Sequence, residues 1–423
     1  MLIDELIPFH DHRIAFLNLI KSCGKEKSLA KLRKVHADKI VNRNLFLKDV
    51  YVATALITAY AKCGAIAEAR AVFEKLPVHD VVSWTALIGG YALNKLAHKA
   101  LECFEQMRDE GVSPNMVTYI CVLKSCGIVG CLEIGKDIDA EVRKQGLLEK
   151  DVVLGTALVG MYSKCGAMAK AREVFEQLPN RNAVSWSGLI AGYAQNGLGN
   201  EALECFGQMR EKGLLPNAVT FTCIVKACAN TEAIDKGTEI HSEIVQSDSL
   251  KCDIILATAL VEMYVKFNML AKAEQVLDEL PVGDAMIWNV LIAGYIEQGQ
   301  SQEALDCFQQ MHREGLSSNE VTFACILKVC GSIQAIDKGK EIHDTLTSLG
   351  LLEENIVLGT LLVDMYAKGG QLVVAQEVID GLPVRDTVCW NGLIAGYAEE
   401  DKCMEALNCF EQMQKEGLAP NDD

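Results

Sequence analysis

The residues whose chemistry first stands out are seventeen cysteines and eight histidines in a chain of 423 residues. Cysteine can form disulfides, bind zinc or act as a nucleophile, and its spacing in the sequence helps to separate these uses. Most of the cysteines recur at intervals of 102 residues, in three series. The series are Cys103, Cys205, Cys307 and Cys409; Cys121, Cys223 and Cys325; and Cys126, Cys228 and Cys330. They fall on the apolar faces of predicted helices, which indicates packing as small hydrophobic side chains.

Neither a metal site nor a catalytic centre has a complete motif in this sequence. No C-x-x-C pair occurs, and Cys126 with Cys131 has neither a second pair nor a histidine at ligand spacing. The zinc deaminase signature, H-x-E followed by P-C-x-x-C, is absent, and so is a phosphate-cradling glycine loop. His36, His241 and His343 share one position of a repeat, which favours packing or a groove rim over a general base. We therefore predict no metal, no cofactor and no enzyme activity, and a reducing compartment.

The same interval of 102 residues separates the four tryptophans, which are Trp84, Trp186, Trp288 and Trp390. The residues around them recur as well, as VVSWTALIGGYA from position 81 and TVCWNGLIAGYA from position 387. A long fixed period is typical of small structural units stacked side by side. Three unlike units of 35, 36 and 31 residues fill each interval, since each new apolar run follows a turn ending in Asn or Asp.

Each unit is predicted to form a pair of helices. In residues 81–115, apolar side chains recur at steps of three and four, first from Val81 to Tyr91 and again from Ala100 to Met107. No alternating strand pattern appears in the sequence. The predicted fold is therefore all-α, an α-solenoid of stacked helix-turn-helix units.

Membrane and targeting segments are not expected in this chain. No run of eighteen apolar residues occurs, so a membrane span is not predicted. The first twelve residues carry Asp4, Glu5 and Asp11 and lack arginine and serine. Transit and signal peptides have a different composition, so we treat residues 1–12 as an N-terminal leader without a targeting function.

Four patterns recur in the units with small variations: VVSWxxLIxGYA, EALxCFxQM, GxxPN and MYxKCG. Together with the three alternating lengths, they resemble pentatricopeptide repeats of the plant PLS type over residues 13–421. The resemblance implies a right-handed superhelix that binds single-stranded RNA, one base per repeat, in a mitochondrion or chloroplast. Many members direct cytidine-to-uridine editing, and editing members often continue into a DYW-type deaminase domain. This sequence stops at Asp423, so we expect either RNA recognition with a deaminase acting in trans or a sequence truncated before such a domain.

In the terms of this family, units of 36, 31 and 35 residues are L, S and P units. The array is divided into L 13–49, S 50–80, P 81–115, L 116–151, S 152–182, P 183–217, L 218–253, S 254–284, P 285–319, L 320–355, S 356–386 and P 387–421, followed by a tail at 422–423. The last unit has no polar capping helix after it, which makes its apolar end a candidate for self-association.

The resemblance further implies that the fifth and final residues of each unit read one base and that the second residue flanks it. The base-reading pairs are Thr54 with Asp80, Thr85 with Asn115, Thr156 with Asn182, Ser187 with Asn217, Thr222 with Asp253, Thr258 with Asp284, Asn289 with Asn319, Thr360 with Asp386, and Asn391 with Asn421. The flanking residues are Tyr51, Val82, Val153, Val184, Ile255, Met286, Val357 and Val388. Leu17, Ile120 and Ala324 cannot hydrogen-bond a base edge, so we treat their L units as spacers.

Hydrogen-bond chemistry suggests which base each pair prefers. A final Asp can accept from the ring N–H of guanine or uracil, whereas a final Asn can donate to the ring nitrogen of adenine or cytosine. A short Thr or Ser at the fifth position leaves room for a purine, and the longer Asn reaches a pyrimidine. From the 5′ end, the expected target is N-G-A-N-A-A-(G or N)-G-C-N-G-C.

Helix capping is an alternative explanation for the final residues, because Asn and Asp accept the free N–H groups of a helix's first turn. Capping alone accounts for Asn115, Asn217 and Asp284. It does not account for a polar fifth residue within an apolar helix, as at Thr85 and Asn289. Both roles can coexist at one final residue.

The net charge of −17 is unlike that of proteins that hold RNA mainly by phosphate attraction. Lysines nevertheless recur at fixed positions. Lys62, Lys164, Lys266 and Lys368 take the thirteenth position of the S units, and Lys21, Lys124, Lys226 and Lys328 recur in the L units. The first four are our phosphate candidates, although lysine near a helix end is also favoured by the helix macrodipole.

Two further functions stay open at this point. An organellar RNA stability or processing factor would share every residue named above. A protein-binding helical scaffold of the tetratricopeptide kind is less favoured, because that family keeps a uniform 34-residue period.

Overall fold

The computed structural model of the chain describes residues 6–37, 49–247, 253–280 and 283–419. All regular secondary structure in these ranges is helical, which confirms the predicted all-α solenoid class. The helices are α1 (Leu6–Lys25), α2 (Leu29–His36), α3 (Val50–Lys62), α4 (Ile66–Glu74), α5 (Val81–Leu93), α6 (Ala97–Asp109), α7 (Met116–Val129), α8 (Leu132–Lys144), α9 (Val152–Lys164), α10 (Met168–Gln177), α11 (Ala183–Gln195), α12 (Gly199–Glu211), α13 (Ala218–Thr231), α14 (Ile234–Gln246), α15 (Ile254–Lys266), α16 (Leu270–Asp278), α17 (Ala285–Glu297), α18 (Ser301–Arg313), α19 (Glu320–Ser332), α20 (Ile336–Ser348), α21 (Leu351–Glu354), α22 (Ile356–Lys368), α23 (Leu372–Gly381), α24 (Thr387–Glu399) and α25 (Cys403–Lys415).

The helices come in consecutive pairs, which we call the A helix and the B helix of a unit. From α3 to α24, every A helix begins at the residue where the sequence-based division begins a unit. The first A helix differs, because α1 begins at Leu6, inside the segment we treated as a leader. Pro8 lies in its first turn, where a missing N–H leaves no helical hydrogen bond unmade. A short extra helix, α21, precedes the S unit at 356–386.

The A helices begin where they do because the preceding Asp or Asn caps them. At the start of α5, Asp80 Oδ1 accepts a hydrogen bond from the Ser83 backbone N at 2.8 Å, and the Asp80 N donates to Ser83 Oγ at 3.0 Å. At the start of α3, Asp49 Oδ1 accepts from the backbone N atoms of Tyr51 and Val52. Each cap satisfies donors that have no partner within the helix.

The chain divides into two compact parts, Met1–Ile224 and Val225–Asp423, which we call the first and the second part. Within each part, the A helix packs on its own B helix and on the A helix of the neighbouring unit. Tryptophans on the A helices of P units fill these contacts: Trp84 meets the Phe73 ring of the preceding B helix edge-on, with centroids 4.6 Å apart. Trp186 and Phe175 repeat this arrangement at 4.7 Å. The core is therefore continuous from unit to unit within a part.

A hydrogen bond between an L unit's B helix and the following S unit's A helix explains the periodic histidines. The Nδ1 atoms of His36, His241 and His343 lie 2.8, 2.8 and 3.1 Å from the hydroxyls of Tyr60, Tyr264 and Tyr366. Where the histidine is replaced by Asp139, the Tyr162 hydroxyl donates to its Oδ2 at 2.8 Å. Burial lowers the pKa of all three histidines, so the neutral ring is favoured. These histidines therefore have the packing role that their shared position suggested.

The described cysteines are all free, and all but Cys403 are at least partly buried. Burial raises the pKa of the Cys103 thiol to about 11 and that of the Cys126 thiol to about 12. A buried protonated thiol is a weak nucleophile and a weak metal ligand. No group of three His, Cys, Asp or Glu side chains in the described ranges is placed to hold a metal ion, and none of the helices described there is long and apolar enough to cross a membrane.

In the last described B helix, α25, one apolar side chain is exposed although the equivalent side chains of earlier B helices are covered. Leu407 is 58% exposed, whereas its equivalents Leu101, Leu203 and Leu305 are buried between units. The sequence repeats, but the covering neighbour does not. Self-association through this surface stays a prediction.

Every unit with a described turn between its A and B helices places one residue of that turn in the left-handed region. Six of these are glycines, including Gly197 with φ +74°, and the others are non-glycine residues such as Lys95 with φ 60°. The turn geometry is thus imposed by the helix pair and not by the residue type.

Two glycines of one P unit test this point. Gly197 needs its positive φ, whereas Gly207 lies within α12, and an added Cβ meets no atom within 4 Å at either place. We expect Gly197→Ala to lower the free energy of unfolding by about 1 kcal/mol. Gly207→Ala is expected to raise it by about 0.5–1 kcal/mol, since alanine is the better helix former. Urea unfolding followed by circular dichroism measures both, and shifts of the same sign would contradict the assignment.

Candidate nucleic-acid interface

Within each part, the repeat places the side chains that the sequence predicts to contact RNA on one surface of the A helices. This surface is formed by the second, fifth, ninth, thirteenth and final residues of the units, and we call it the reader face. In the first part it contains a cavity of about 520 Å³ that is lined by residues of four consecutive units. Among its lining residues are Ile120, Lys124, Val153, Thr156, Lys164, Asn182, Val184, Ser187 and Asn217. Residues distant in sequence, but equivalent in the repeat, therefore share one concave surface.

A second cavity in the first part, of about 400 Å³, shows the same arrangement at the first two units. Leu17, Lys21, Tyr51, Thr54 and Lys62 line it together. These residues hold the fifth and ninth positions of one unit and the second, fifth and thirteenth positions of the next. The repeat geometry thus recurs along the first part.

The second residue of each unit is apolar and exposed at the start of an otherwise buried helix. All eight predicted flanking residues are between 47% and 72% exposed: Tyr51, Val82, Val153, Val184, Ile255, Met286, Val357 and Val388. Val117, Val219 and Val321 hold the same position in L units and are 57–59% exposed. These three, and the equivalent Ile14, were absent from the predicted flanking residues, although their position in the repeat could have identified them. A row of exposed aliphatic side chains is suited to packing against the faces of bases.

In P units a buried threonine connects the two base-reading residues. Thr118, at the third position of the next unit, has its hydroxyl 2.7 Å from Thr85 Oγ1 and donates to Asn115 Oδ1 at 3.1 Å. The backbone N of Thr118 also donates to Asn115 Oδ1, at 2.9 Å. The threonine therefore holds the fifth and the final residue in one fixed arrangement.

Two further P units repeat this three-residue cluster. Ser187 Oγ lies 2.6 Å from Thr220 Oγ1, which donates to Asn217 Oδ1 at 2.9 Å. In the next P unit, the Thr322 hydroxyl donates to Asn289 Oδ1 at 2.6 Å and approaches Asn319 Oδ1 at 3.0 Å. Thr118, Thr220 and Thr322 are fully buried. The sequence analysis missed them, though an N-x-x-T pattern recurring every 102 residues would have identified them as capping-box partners.

Capping fixes which edge of the final side chain remains for a ligand. The backbone N–H of the next helix requires an acceptor, so Asn115 must turn its Oδ1 toward the helix. Its Nδ2 group, a donor, is then directed away from the cap. Asp386 uses Oδ1 to accept from the Cys389 N at 2.8 Å, and its second oxygen is an acceptor. Capping therefore leaves other atoms of the same side chain available to a ligand.

In the S units the fifth threonine bonds to its own helix, as Thr85 and Ser187 of the P units also do. The hydroxyls of Thr156, Thr258 and Thr360 donate to the carbonyl four residues earlier at 2.7–3.0 Å. Thr54 Oγ1 is buried and has no hydrogen-bond partner among the described residues. The third position of the following P unit is Ser83, Ser185, Ile287 or Cys389. A threonine that joins the fifth and the final residue therefore occurs where a P unit is followed by an L unit, which we call a P-to-L junction.

At the fifth position, the L units have either an apolar residue or a threonine that hydrogen-bonds to its own helix. Ile120 lines the larger cavity, Leu17 lines the smaller one, and Ala324 is half-buried on α19. Thr222 Oγ1 donates to its own helix, at Ala218 O, and Asp253 caps α15. Asn391 is half-buried on α24, and Asn421 lies outside the described residues.

The lysine candidates are exposed on the reader face, but their surroundings differ. Lys62 and Lys164 line the two cavities of the first part, beside Lys21 and Lys124 respectively. In the second part, Lys266 Nζ donates to Asn230 Oδ1 at 3.0 Å. Lys368 Nζ pairs with Asp364 Oδ2 at 2.8 Å.

Comparisons with known proteins agree with this architecture. A model described as PPR repeat family matches residues 79–127, 181–230, 283–332 and 385–423, and a model described as PPR repeat matches residues 51–81 and 156–182. Together the matched segments cover more than half of the chain.

Curated relatives match nearly the whole chain. The pentatricopeptide repeat-containing protein At4g18520, chloroplastic, of Arabidopsis thaliana is 32% identical over 98% of this chain and 66% of its own length. At2g03380, mitochondrial, of the same plant is 33% identical over 99% of this chain and 60% of its own length. At1g11290, chloroplastic, also of Arabidopsis thaliana, is 32% identical over 96% of this chain and 50% of its own length. The chain thus spans between half and about two thirds of these relatives.

Among solved structures, the pentatricopeptide repeat protein PPR10 in complex with an 18-nt psaJ RNA element is similar with a TM-score of 0.71 and 20% identity. The match covers 100% of this chain and 67% of that chain. A second structure, described as the pentatricopeptide repeat protein PPR10 from maize, is similar with a TM-score of 0.52 and 18% identity. This match covers 96% of this chain and 69% of that chain. The fold is thereby shared with a known repeat solenoid. From the helix pairs, the matched repeats and these relatives together, the chain belongs to the pentatricopeptide repeat family.

Proposed function

We propose that this chain binds single-stranded RNA sequence-specifically, one base per repeat, as a member of the PLS type. The observation that carries the proposal is the recurring cluster of fifth residue, buried threonine and final residue beside exposed aliphatic side chains. PPR10, whose fold is similar, is described in complex with an RNA element. The base lies between second-position side chains of adjacent units and is read on its pairing edge.

The proposed target follows from the atoms that capping leaves available. A final Asn presents donors, which suit adenine or cytosine, and a final Asp presents an acceptor, which suits guanine or uracil. Applied to the pairs in order, this gives N-G-A-N-A-A-(G or N)-G-C-N-G-C from the 5′ end. The L units with Leu17, Ile120 or Ala324 contribute positions without base selectivity.

In the cell, the proposed role is recognition of an organellar editing site, with a deaminase supplied in trans. Relatives of this chain carry the words chloroplastic or mitochondrial in their names, which supports an organelle as its location. A role in RNA stability or processing would use the same reader face. A protein-binding scaffold is a weaker alternative, because the cluster of hydrogen-bonding groups recurs once per P-to-L junction on an open groove.

The first prediction concerns binding itself. At about 150 mM salt, where nonspecific attraction is screened, the chain is expected to bind a twelve-nucleotide RNA of the proposed string more tightly than a scrambled RNA of equal composition. A preference of about tenfold or more corresponds to roughly 1.4 kcal/mol, or one to three selective hydrogen bonds. Fluorescence anisotropy titration measures both affinities. Equal affinities would refute sequence-specific recognition.

The second prediction separates reading from capping at one residue. Asp284 Oδ1 accepts from the Met286 N at 2.7 Å, and an asparagine oxygen can make the same bond. Asp284→Asn should therefore leave stability almost unchanged and move the preference at the eighth base from G toward A. The control, Asp284→Ala, removes the cap and should cost about 1 kcal/mol of stability. Loss of affinity for every RNA alike in Asp284→Asn would identify the residue as a cap alone.

The third prediction concerns the buried threonine. Thr118→Val preserves shape but removes the hydroxyl that joins Thr85 to Asn115. Discrimination at the third base, which this pair reads, should fall about five- to tenfold, at a stability cost of about 1 kcal/mol. Thr118→Ser retains the hydroxyl and serves as the control. Unchanged discrimination in Thr118→Val would make the threonine a purely structural residue. Affinities for RNAs varied at that base provide the measurement.

A further inference from the structure

The charges of the reader face differ between the two parts of the chain. In the first part, the ninth and thirteenth positions carry five lysines and no acidic residue. They are Lys21, Lys25, Lys62, Lys124 and Lys164, all exposed. No ion pair involves any of the five within the part of the chain that the structure describes. At the ninth and thirteenth positions, the first part therefore carries a formal charge of +5 with no carboxylate.

The second part has four lysines at these positions and four carboxylates among them. The lysines are Lys226, Lys266, Lys328 and Lys368, and the acids are Glu262, Glu297, Asp364 and Glu399. Lys368 is paired with Asp364 at 2.8 Å, and Lys266 lines one depression together with Glu297. The formal charge of these positions is thus zero.

The lysine side chains themselves are held in the same way in both parts. The stem of Lys164 lies over Gly127, where an added Cβ would come within 3.1 Å of the Lys164 Cδ. Lys368 lies over Gly331 in the equivalent place, with the corresponding distance 3.6 Å. Because the stem has the same support, the two lysines differ mainly in the charges around them. Lys164 and Lys368 are therefore a matched pair.

We propose that the first part supplies most of the attraction for the RNA backbone, and that the second part contributes base recognition with little phosphate attraction. The inference rests on the proposed RNA-binding function. Binding of a phosphate by an uncompensated lysine releases condensed counterions, and each such contact steepens the salt dependence of affinity. A lysine already paired with a carboxylate releases fewer, because its charge is neutralised before RNA arrives. The uneven distribution also explains how a chain with a net charge of −17 can hold a polyanion.

The test compares Lys164→Gln with Lys368→Gln in the full chain. Affinities for the proposed string and for its scrambled control are measured from about 50 to 300 mM salt. We expect Lys164→Gln to reduce the slope of log affinity against log salt by about 0.7, the value for one single-strand phosphate contact. Both RNAs should lose affinity by the same factor. Lys368→Gln should change the slope by less than half as much.

Two further variants sharpen the comparison. Asp364→Asn releases Lys368 from its ion pair. The slope of log affinity against log salt should then become steeper, by up to the amount expected for one new phosphate contact. Lys99→Gln removes an exposed lysine of α6, off the reader face, and should leave the slope unchanged.

Equal slope changes in Lys164→Gln and Lys368→Gln, or no change in Asp364→Asn, would overturn the inference. Failure of the proposed function has a different signature. If the unsubstituted chain binds both RNAs equally, yet Lys164→Gln alone lowers the slope, sequence-specific recognition fails and the division of charge stands. If the unsubstituted chain binds neither RNA, both fail together.

Discussion

The hydrogen bond between the last side chain of one unit and the first turn of the next helix is the contact on which the rest of this molecule depends. It starts each A helix at a fixed residue, as Asp80 does for α5 and Asn115 for α7. Once the start is fixed, helical geometry places the second residue on the open side and the fifth residue one turn later. The same bond decides which atom of the final side chain is left for a ligand. The start of each capped A helix and the atom left for a ligand are thus set by the same interaction.

Burial decides which of the remaining polar side chains bond within the fold and which are accessible to a ligand. Histidines and tyrosines of the L-to-S junctions bond to one another, and burial lowers the pKa of His36 and His241 and raises the pKa of the Tyr60 and Tyr264 hydroxyls to about 12. The buried cysteines are held protonated for the same reason. What stays open to a ligand is the reader face, with aliphatic side chains, amides, carboxylates and lysines. A surface of this composition can sandwich and hydrogen-bond a flat polar ring, and its lysines add attraction for phosphate where no carboxylate compensates them.

Much of the fold could be predicted from the sequence because equivalent positions of the repeats can be compared with one another. The 102-residue interval indicated the helix pairs, the A helix starts and the inward cysteines, since apolar residues at helical spacing recur in each interval. The threonines at 118, 220 and 322 were missed because a threonine in an apolar helix looks like a weak helix former until a partner across the unit boundary is known. The start of α1 at Leu6 was missed because residues 1–12 were assigned to a leader from their composition alone, and Pro8 in the first turn is compatible with a helix.

By itself, the sequence determined the fold class, the repeat and the residues facing the groove, because these follow from local periodicity and capping along one stretch of chain. Contacts between side chains of neighbouring helices, and the surroundings of each lysine, depended on the tertiary structure. It joined Thr85 to Asn115 through Thr118 and Tyr60 to His36. Among the described lysines at the ninth and thirteenth positions, it paired Lys368 with Asp364 and left the five of the first part without an ion pair. It also left Leu407 exposed where Leu305 is covered. The physical reason is that burial and charge compensation belong to neighbours in space, and a repeated sequence does not guarantee a repeated neighbour.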